Sequence, residues 1–204
     1  DVVCQGEDVL VDSGRYSYNF EQENRIWLKS AHAHNTILVD KKDYLEYPDA
    51  WGTKNTMPEL PMRVREKEDC VLLEGAHTGY LQNETQVLLR RKILVLEPGV
   101  YVLADTAYSE ESHTYSRLFH FNNQGMVSAK EGRILYHGKR ADMELIFPQE
   151  ETCFYIEESK LSRHYNLCEK NEMVAADTKG EGKTFMLAVL AGNQKKPVKV
   201  CMNP

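Results

Sequence analysis

The chain has 204 residues, of which 42% are hydrophobic and 27% charged, and its net charge is −6. That length supports one sizeable domain with a buried core, and the ordinary globular balance excludes a disordered chain. The acidic charge is spread along the chain, which argues against nucleic acid and anionic membrane as partners; no apolar run approaches the roughly 20 residues of a membrane span.

No signal-peptide pattern opens the sequence, and Asp1-Val2-Val3-Cys4 enters mid-pattern, as the interior of a longer protein would. The first element is a short strand, Val9-Leu10-Val11, closed by the turn signal Asp12-Ser13-Gly14. Arg15, Tyr16 and Tyr18 follow, their alternation placing both tyrosines on one face of an extended stretch. Residues 21–29 are polar with Trp27 as an anchor, and read as a loop or a short helix. Ser30 to Asp40 reads as a strand, because Ile37 and Val39 are β-branched and polar and apolar residues roughly alternate. On such a strand His32 and His34 would stand side by side on one face.

Lys41 to Pro61 is rich in Pro, Asp, Asn and Gly and has no period. A connection of about 20 such residues is more often functional than idle, and it is expected to fold back towards the histidine stretch. The remainder reads as strands at Met62–Glu66, Cys70–Gly75, Thr85–Leu96, Val100–Ala107, Thr114–Phe121, Arg133–Tyr136, Met143–Phe147, Cys153–Glu157, Met173–Asp177, Thr184–Leu190 and Val198–Cys201. Turn dipeptides such as Pro98-Gly99 and Gly192-Asn193 separate them. Short strands with turn signals every 8–12 residues give an all-β antiparallel sandwich or barrel.

Histidine is both an acid/base near neutral pH and the commonest metal ligand, so His32 and His34 are the first candidates for chemistry. His77 sits between Gly75 and Gly79, which suggests a bend where the backbone comes close to something. His34, His77 and a carboxylate from the Lys41–Pro61 loop would give zinc an N, O, N set with one open position. His120, among Leu118, Phe119 and Phe121, reads as a hydrogen-bonded core histidine; His113, His137 and His164 read as surface positions. One or two of Arg90, Arg91 and Lys92 could face an acidic ligand, and Asp105 reads as a strand-end residue, a turn cap as readily as a catalyst. There is no GxSxG and no phosphate-cradling glycine loop. Five cysteines without a CxxC pair favour free or buried thiols in a reducing compartment such as the cytoplasm; a periplasmic or secreted location stays open if a signal lies upstream.

Two stretches in this order, Asp8-Val9-Leu10-Val11-Asp12-Ser13-Gly14-Arg15-Tyr16-Ser17-Tyr18 and Ala33-His34-Asn35-Thr36-Ile37-Leu38-Val39-Asp40, resemble the opening of the heparinase II/III-like domain of polysaccharide lyases. His77-Thr78-Gly79-Tyr80, Arg90-Arg91, Asp105, His113-Thr114-Tyr115 and Phe119-His120-Phe121 look like its later landmarks, and the likeness thins after about residue 121. The resemblance implies a bacterial protein in which an N-terminal helical toroid precedes a two-sheet, supersandwich-like C-terminal domain spanning residues 1–204. It also implies β-elimination on an anionic uronate polysaccharide of the glycosaminoglycan or alginate kind. By that resemblance His32 faces the cleft as the catalytic residue. His34 and His77 hold a structural zinc with Asp49, or Asp43 behind it, and Arg25, Arg90 and Tyr80 contact substrate. The partners expected are the polymer and the toroid, with a homodimer left open. Without the toroid the fragment is expected to have little or no activity. A non-catalytic carbohydrate-binding or structural module that keeps the fold is the competing expectation, and a metal-free accessory domain a third.

Overall fold

The computed structural model describes residues 1–19, 22–58, 60–96, 99–194 and 198–201. Twelve strands and one helix make up the regular structure among them. In chain order these are β1 (Val2–Cys4), β2 (Glu7–Leu10), α1 (Gln22–Lys29), β3 (Ile37–Val39), β4 (Arg63–Lys67), β5 (Cys70–His77), β6 (Leu88–Leu96) and β7 (Val100–His120). They continue with β8 (Met126–Lys130), β9 (Arg133–His137), β10 (Asp142–Ile146), β11 (Cys153–Leu161) and β12 (Glu169–Gly192). All pairings between these strands are antiparallel, β1 with β2 as a two-stranded ribbon and the others in the order β4-β5-β6-β7-β12-β10-β9-β8, with β3 on β7 and β11 on β12.

The central pair β7 and β12 organises the sandwich. They run 21 and 24 residues, far longer than ordinary strands, so each serves two sheets in turn. The first half of β7 pairs with β6, and its second half with β3. The break falls where the β12 register shifts between Gly180 and Gly182. Gly182 has φ +65°, and a Cβ on Gly180 would lie 2.1 Å from Thr184 Oγ1, so only glycine fits this bulge. The strands expected at Val100–Ala107 and Thr114–Phe121 are therefore one element, as are those at Met173–Asp177 and Thr184–Leu190. The main core lies between the layers. Phe119, Phe121, Val174, Ile134, Tyr136, Leu145 and Leu190 pack there, with Phe121 and Tyr136 stacked at 5.7 Å.

Two strand expectations need correction. Ser30–Asp40 is not one strand: Ala31–Ala33 form a 3-10 turn, and only Ile37–Val39 is extended. The turn wins because Ala31 and Ala33 are small enough to bury, and because the Asp43 carboxylate accepts the Ala31 N–H at 2.7 Å. His32 and His34 therefore do not share a strand face. Val198–Cys201 is not a strand, and residues 22–29 resolve to a helix whose Leu28 is buried beside Tyr16 and Ala33. Pro98 and the start of the 21–29 segment lie outside the described residues. The Lys41–Pro61 loop does fold back, with Lys29 Nζ and Arg25 Nε both donating to the Ala50 carbonyl. No helix among the described residues is long and apolar enough to cross a membrane.

Candidate functional site

Asn35 anchors the histidine segment. Its side chain accepts the His120 N–H at 2.7 Å and donates to the Val11 carbonyl at 3.0 Å, while its own carbonyl receives Arg91 Nη1 at 2.7 Å. Arg91 in turn makes a two-pronged ion pair with Asp105, at 2.7 and 3.0 Å. Asp105 lies mid-strand and fully buried, so it caps no turn. Arg117, also fully buried, faces the same carboxylate; burial, with Arg91 adding to it, lowers its pKa to about 10 against the pull of Asp105. A buried charge cluster thus holds the segment that carries His32 and His34.

His34 is paired. Its Nδ1 lies 2.6 Å from Asp12 Oδ2, and Asp12 Oδ1 accepts the Gly14 N–H at 2.9 Å. The hydrogen bond to Asp12 raises the His34 pKa above its usual value, against the opposing effect of burial, and holds the Asp12 carboxyl below the usual range. Gly14 is required: φ is +78°, and a Cβ would sit 2.1 Å from the Ser162 carbonyl oxygen. This makes Asp12-Ser13-Gly14 more than a turn; it orients an imidazole.

His32, half-buried, lines a cavity of about 280 Å3 together with Trp27, Lys41, Tyr155, Glu157 and Glu158. In the same lining, Lys41 Nζ donates to Tyr155 Oη at 2.9 Å and lies 3.4 Å from Asp177 Oδ2. The pairing with Tyr155 and Asp177 raises the Lys41 pKa. Tyr155 and Lys41 come from β11 and the end of the histidine segment. Sequence reading missed both, because only the antiparallel pairing of β11 with β12 brings Tyr155 to the site.

His77 packs edge-on against Tyr44 at 4.2 Å, and both of its ring nitrogens are buried without a hydrogen-bond partner. Burial lowers its pKa against the raising effect of Asp43. Gly79 permits this packing, since a Cβ there would meet Tyr44 and His77 at 2.6 and 2.7 Å. Asp49 is exposed and turned onto its own loop, accepting the N–H groups of Trp51 and Gly52 at 2.7 and 2.6 Å. Asp43 is the loop carboxylate whose field reaches both His34 and His77. Among the described residues, no three His, Cys, Asp or Glu side chains already converge on a metal-sized point.

The remaining candidates divide. Arg90 pairs with Glu74 on the neighbouring strand. Tyr80 is fully buried, its hydroxyl donating to the Lys42 carbonyl at 2.7 Å and accepting the Val39 N–H at 3.2 Å, so it works on the fold and not on a ligand. Arg25 lies on the surface over Tyr18 and Trp51. His120 is the core histidine expected: fully enclosed, with Ser159 Oγ at 3.2 Å from Nδ1, and driven by burial down to about 4, with the charge on His34 adding to the effect. His113 is not a surface residue. It is 6% exposed, because Asp40 at the end of β3 takes its Nδ1 at 2.7 Å and the Thr114 N–H at 2.9 Å where β7 begins its second half. None of the five cysteines is in a disulfide.

The family model described as heparinase II/III-like, C-terminal, matches residues 1–197. Among solved structures, the heparan sulfate lyase HepC of Pedobacter heparinus is similar in fold, with TM-score 0.74 and 13% identity over 95% of this chain and 30% of that one. A heparinase III gene product aligns with TM-score 0.70 and 17% identity, covering 92% of this chain and 28% of its own. A further heparinase III structure aligns at 0.67 and 13% identity, over 92% and 28%. The chain thus spans about 30% of the length of the structures it matches. No curated protein sequence matches it.

Proposed function

The chain belongs to the heparinase II/III-like C-terminal family, and from that premise we propose that it is the β-sandwich domain of a polysaccharide lyase. The proposed reaction is β-elimination on a uronic-acid polymer, most simply a glycosaminoglycan of the kind cleaved by the heparan sulfate lyase HepC. The observation that carries this reading is the cavity that His32 lines together with the Lys41–Tyr155 pair. Elimination removes the proton at C5; its electron pair forms the C4=C5 double bond, and the C4–O bond breaks to an oxygen that takes up a proton. The C5 proton beside an ionised carboxylate is barely acidic, so positive charge near the carboxylate and a positioned base must act together. In this reading His34, kept protonated to higher pH by Asp12, supplies positive charge. His32 moves the proton, and the Tyr155 phenol held by Lys41 lines the same cavity. A preceding helical toroid would close the cleft and bring the rest of the machinery, so the isolated domain should have little activity.

Zinc belongs to the same proposal, with His77 and Asp43 as the holders; His34, engaged by Asp12 and the Lys29 backbone, would have to give up its proton and its second bond to join them. One observation supports it. His77 buries two nitrogens with nothing to bond, a costly state that a ligand would relieve. Asp49 fits the role less well than Asp43, since both its hydrogen bonds serve its own turn. When bound, the ion would fix the loop against the histidine segment. The test of the whole reading is whether the full-length protein releases product with ultraviolet absorbance from a uronate polymer; none from any polymer would reject it. The exposed aromatics near Arg25 keep one rival specific, a module that binds the polymer without cleaving it.

A further inference from the structure

Three surface aromatics from separate parts of the chain meet on one patch. Tyr18 and Trp51 lie parallel within 10° at 5.7 Å, and Tyr165, from the connection between β11 and β12, stands 6.0 Å from Tyr18. They are 42%, 57% and 58% exposed. Single exposed aromatics are common, but three together are a patch that calls for a partner.

Trp51 is also held in place. Asp49 accepts its N–H and that of Gly52, while the carbonyls on either side of it, Ala50 and Gly52, receive Lys29 Nζ at 3.3 and 3.0 Å. Arg25 adds a second bond to the Ala50 carbonyl at 3.1 Å and one to the Arg15 carbonyl at 3.4 Å. Its guanidinium lies over both rings, 4.9 Å from Tyr18 and 4.5 Å from Trp51. Arg15 reaches the Tyr18 hydroxyl at 2.6 Å. Five hydrogen bonds thus fix the backbone on which the exposed indole stands, and Arg15, Arg25 and Lys29 rim it.

We propose that Tyr18, Trp51 and Tyr165 form a platform on which one sugar unit of an acidic polysaccharide stacks, its carboxylate or sulfate turned to the rim arginines. The C–H face of a pyranose is weakly positive and fits the negative face of an aromatic ring, and a rigid ring gives contact area at little entropic cost. The cationic rim matches an anionic sugar better than it matches a purely apolar protein face. The platform lies on the loops that flank the Asp12–His34 pair. It would therefore hold the polymer beside the cleavage site, not at it. This rests on the uronate-polymer reading above.

The test is affinity electrophoresis of the full-length protein in gels containing heparan sulfate, with cleavage assayed separately on the same polymer. Trp51→Ala and Tyr165→Ala should each weaken retardation at least fivefold. Trp51→Phe should stay within about twofold of the parent, and Met126→Ala, an exposed apolar residue on β8, should change nothing. If the parent cleaves and both alanine variants are retarded like it, the platform is wrong while the lyase reading stands. If the parent binds without cleaving and Trp51→Ala abolishes the binding, the lyase reading falls and the platform stands. If Trp51→Ala instead separates this domain from the preceding one, seen as a new protease-sensitive seam with retardation intact, the patch is a domain contact and the platform is wrong.

Discussion

Asp105→Asn should unfold the support of the histidine segment. Asp105 is fully enclosed and makes the two-pronged pair with Arg91, while Arg117, enclosed as well, has no hydrogen-bond partner on any of its three guanidinium nitrogens. Removing the carboxylate charge leaves two cations facing one neutral amide. Breaking a buried pair in this way costs about 3–5 kcal/mol. Arg91 keeps 23% of its side chain open and can turn partly to water, but Arg117 cannot. At about 2–4 °C per kcal/mol for a domain of this size, Tm should fall by about 6–20 °C. Arg117→Met tests the same reasoning with the opposite sign. It removes a buried cation whose neighbour is the Phe147 ring at 5.2 Å, and it should be neutral or stabilising by about 1–4 kcal/mol. In that background Asp105→Asn should cost at least about 1 kcal/mol less, the coupling expected of groups in contact. Thermal unfolding at neutral pH, followed by circular dichroism, reads all four proteins. An Asp105→Asn change below about 1 kcal/mol, or an Arg117→Met loss above about 2, would refute the account of the cluster.

Two further outcomes follow from the geometry. Glu7 accepts the N–H groups of Lys139, Arg140 and Ala141 at 3.0, 2.6 and 3.0 Å; burial pushes its pKa up, but these bonds outweigh it and hold the carboxyl below its usual value. Its stabilisation is therefore complete above the usual glutamate range and is lost as pH falls through the depressed folded-state value. Glu7→Gln should cost about 2–4 kcal/mol at pH 7 and progressively less in acid, by denaturant titration across pH; a deficit that does not shrink in acid contradicts the assignment. Elemental analysis of the protein purified without chelators should find zinc near one equivalent, and His77→Ala should remove it. A metal-free protein under those conditions sinks the zinc proposal.

The sandwich was legible because its strands alternate and its turns carry Gly, Asn and Pro, signals that act over a few residues. What local pattern could not show is continuity. Val100–His120 contains Ser109-Glu110-Glu111-Ser112, which reads as a gap, yet the chain runs through it as strand because β12 supplies partners on both sides. The histidine segment failed for a similar reason. Its alternation satisfies a strand, but a carboxylate twelve residues on, Asp43, fixes Ala31 in a turn. His113 and Asp105 were misplaced because charge in the sequence suggests solvent, and their partners Asp40 and Arg91 lie 73 and 14 residues away. His77 was found from its flanking glycine, and Gly79 does prove to be the residue that lets Tyr44 and the imidazole meet. Tyr155, which shares the cavity with His32, carries no local mark at all.

His32→Ala in the full-length protein tests the central claim most directly. With a uronate polymer such as heparan sulfate as substrate and ultraviolet absorbance of the unsaturated product as the readout, the account predicts at least a hundredfold loss in kcat, with retardation by the same polymer in the gel preserved. Turnover equal to the parent's would contradict it, and would leave the cavity around His32, Lys41 and Tyr155 without a part in the chemistry.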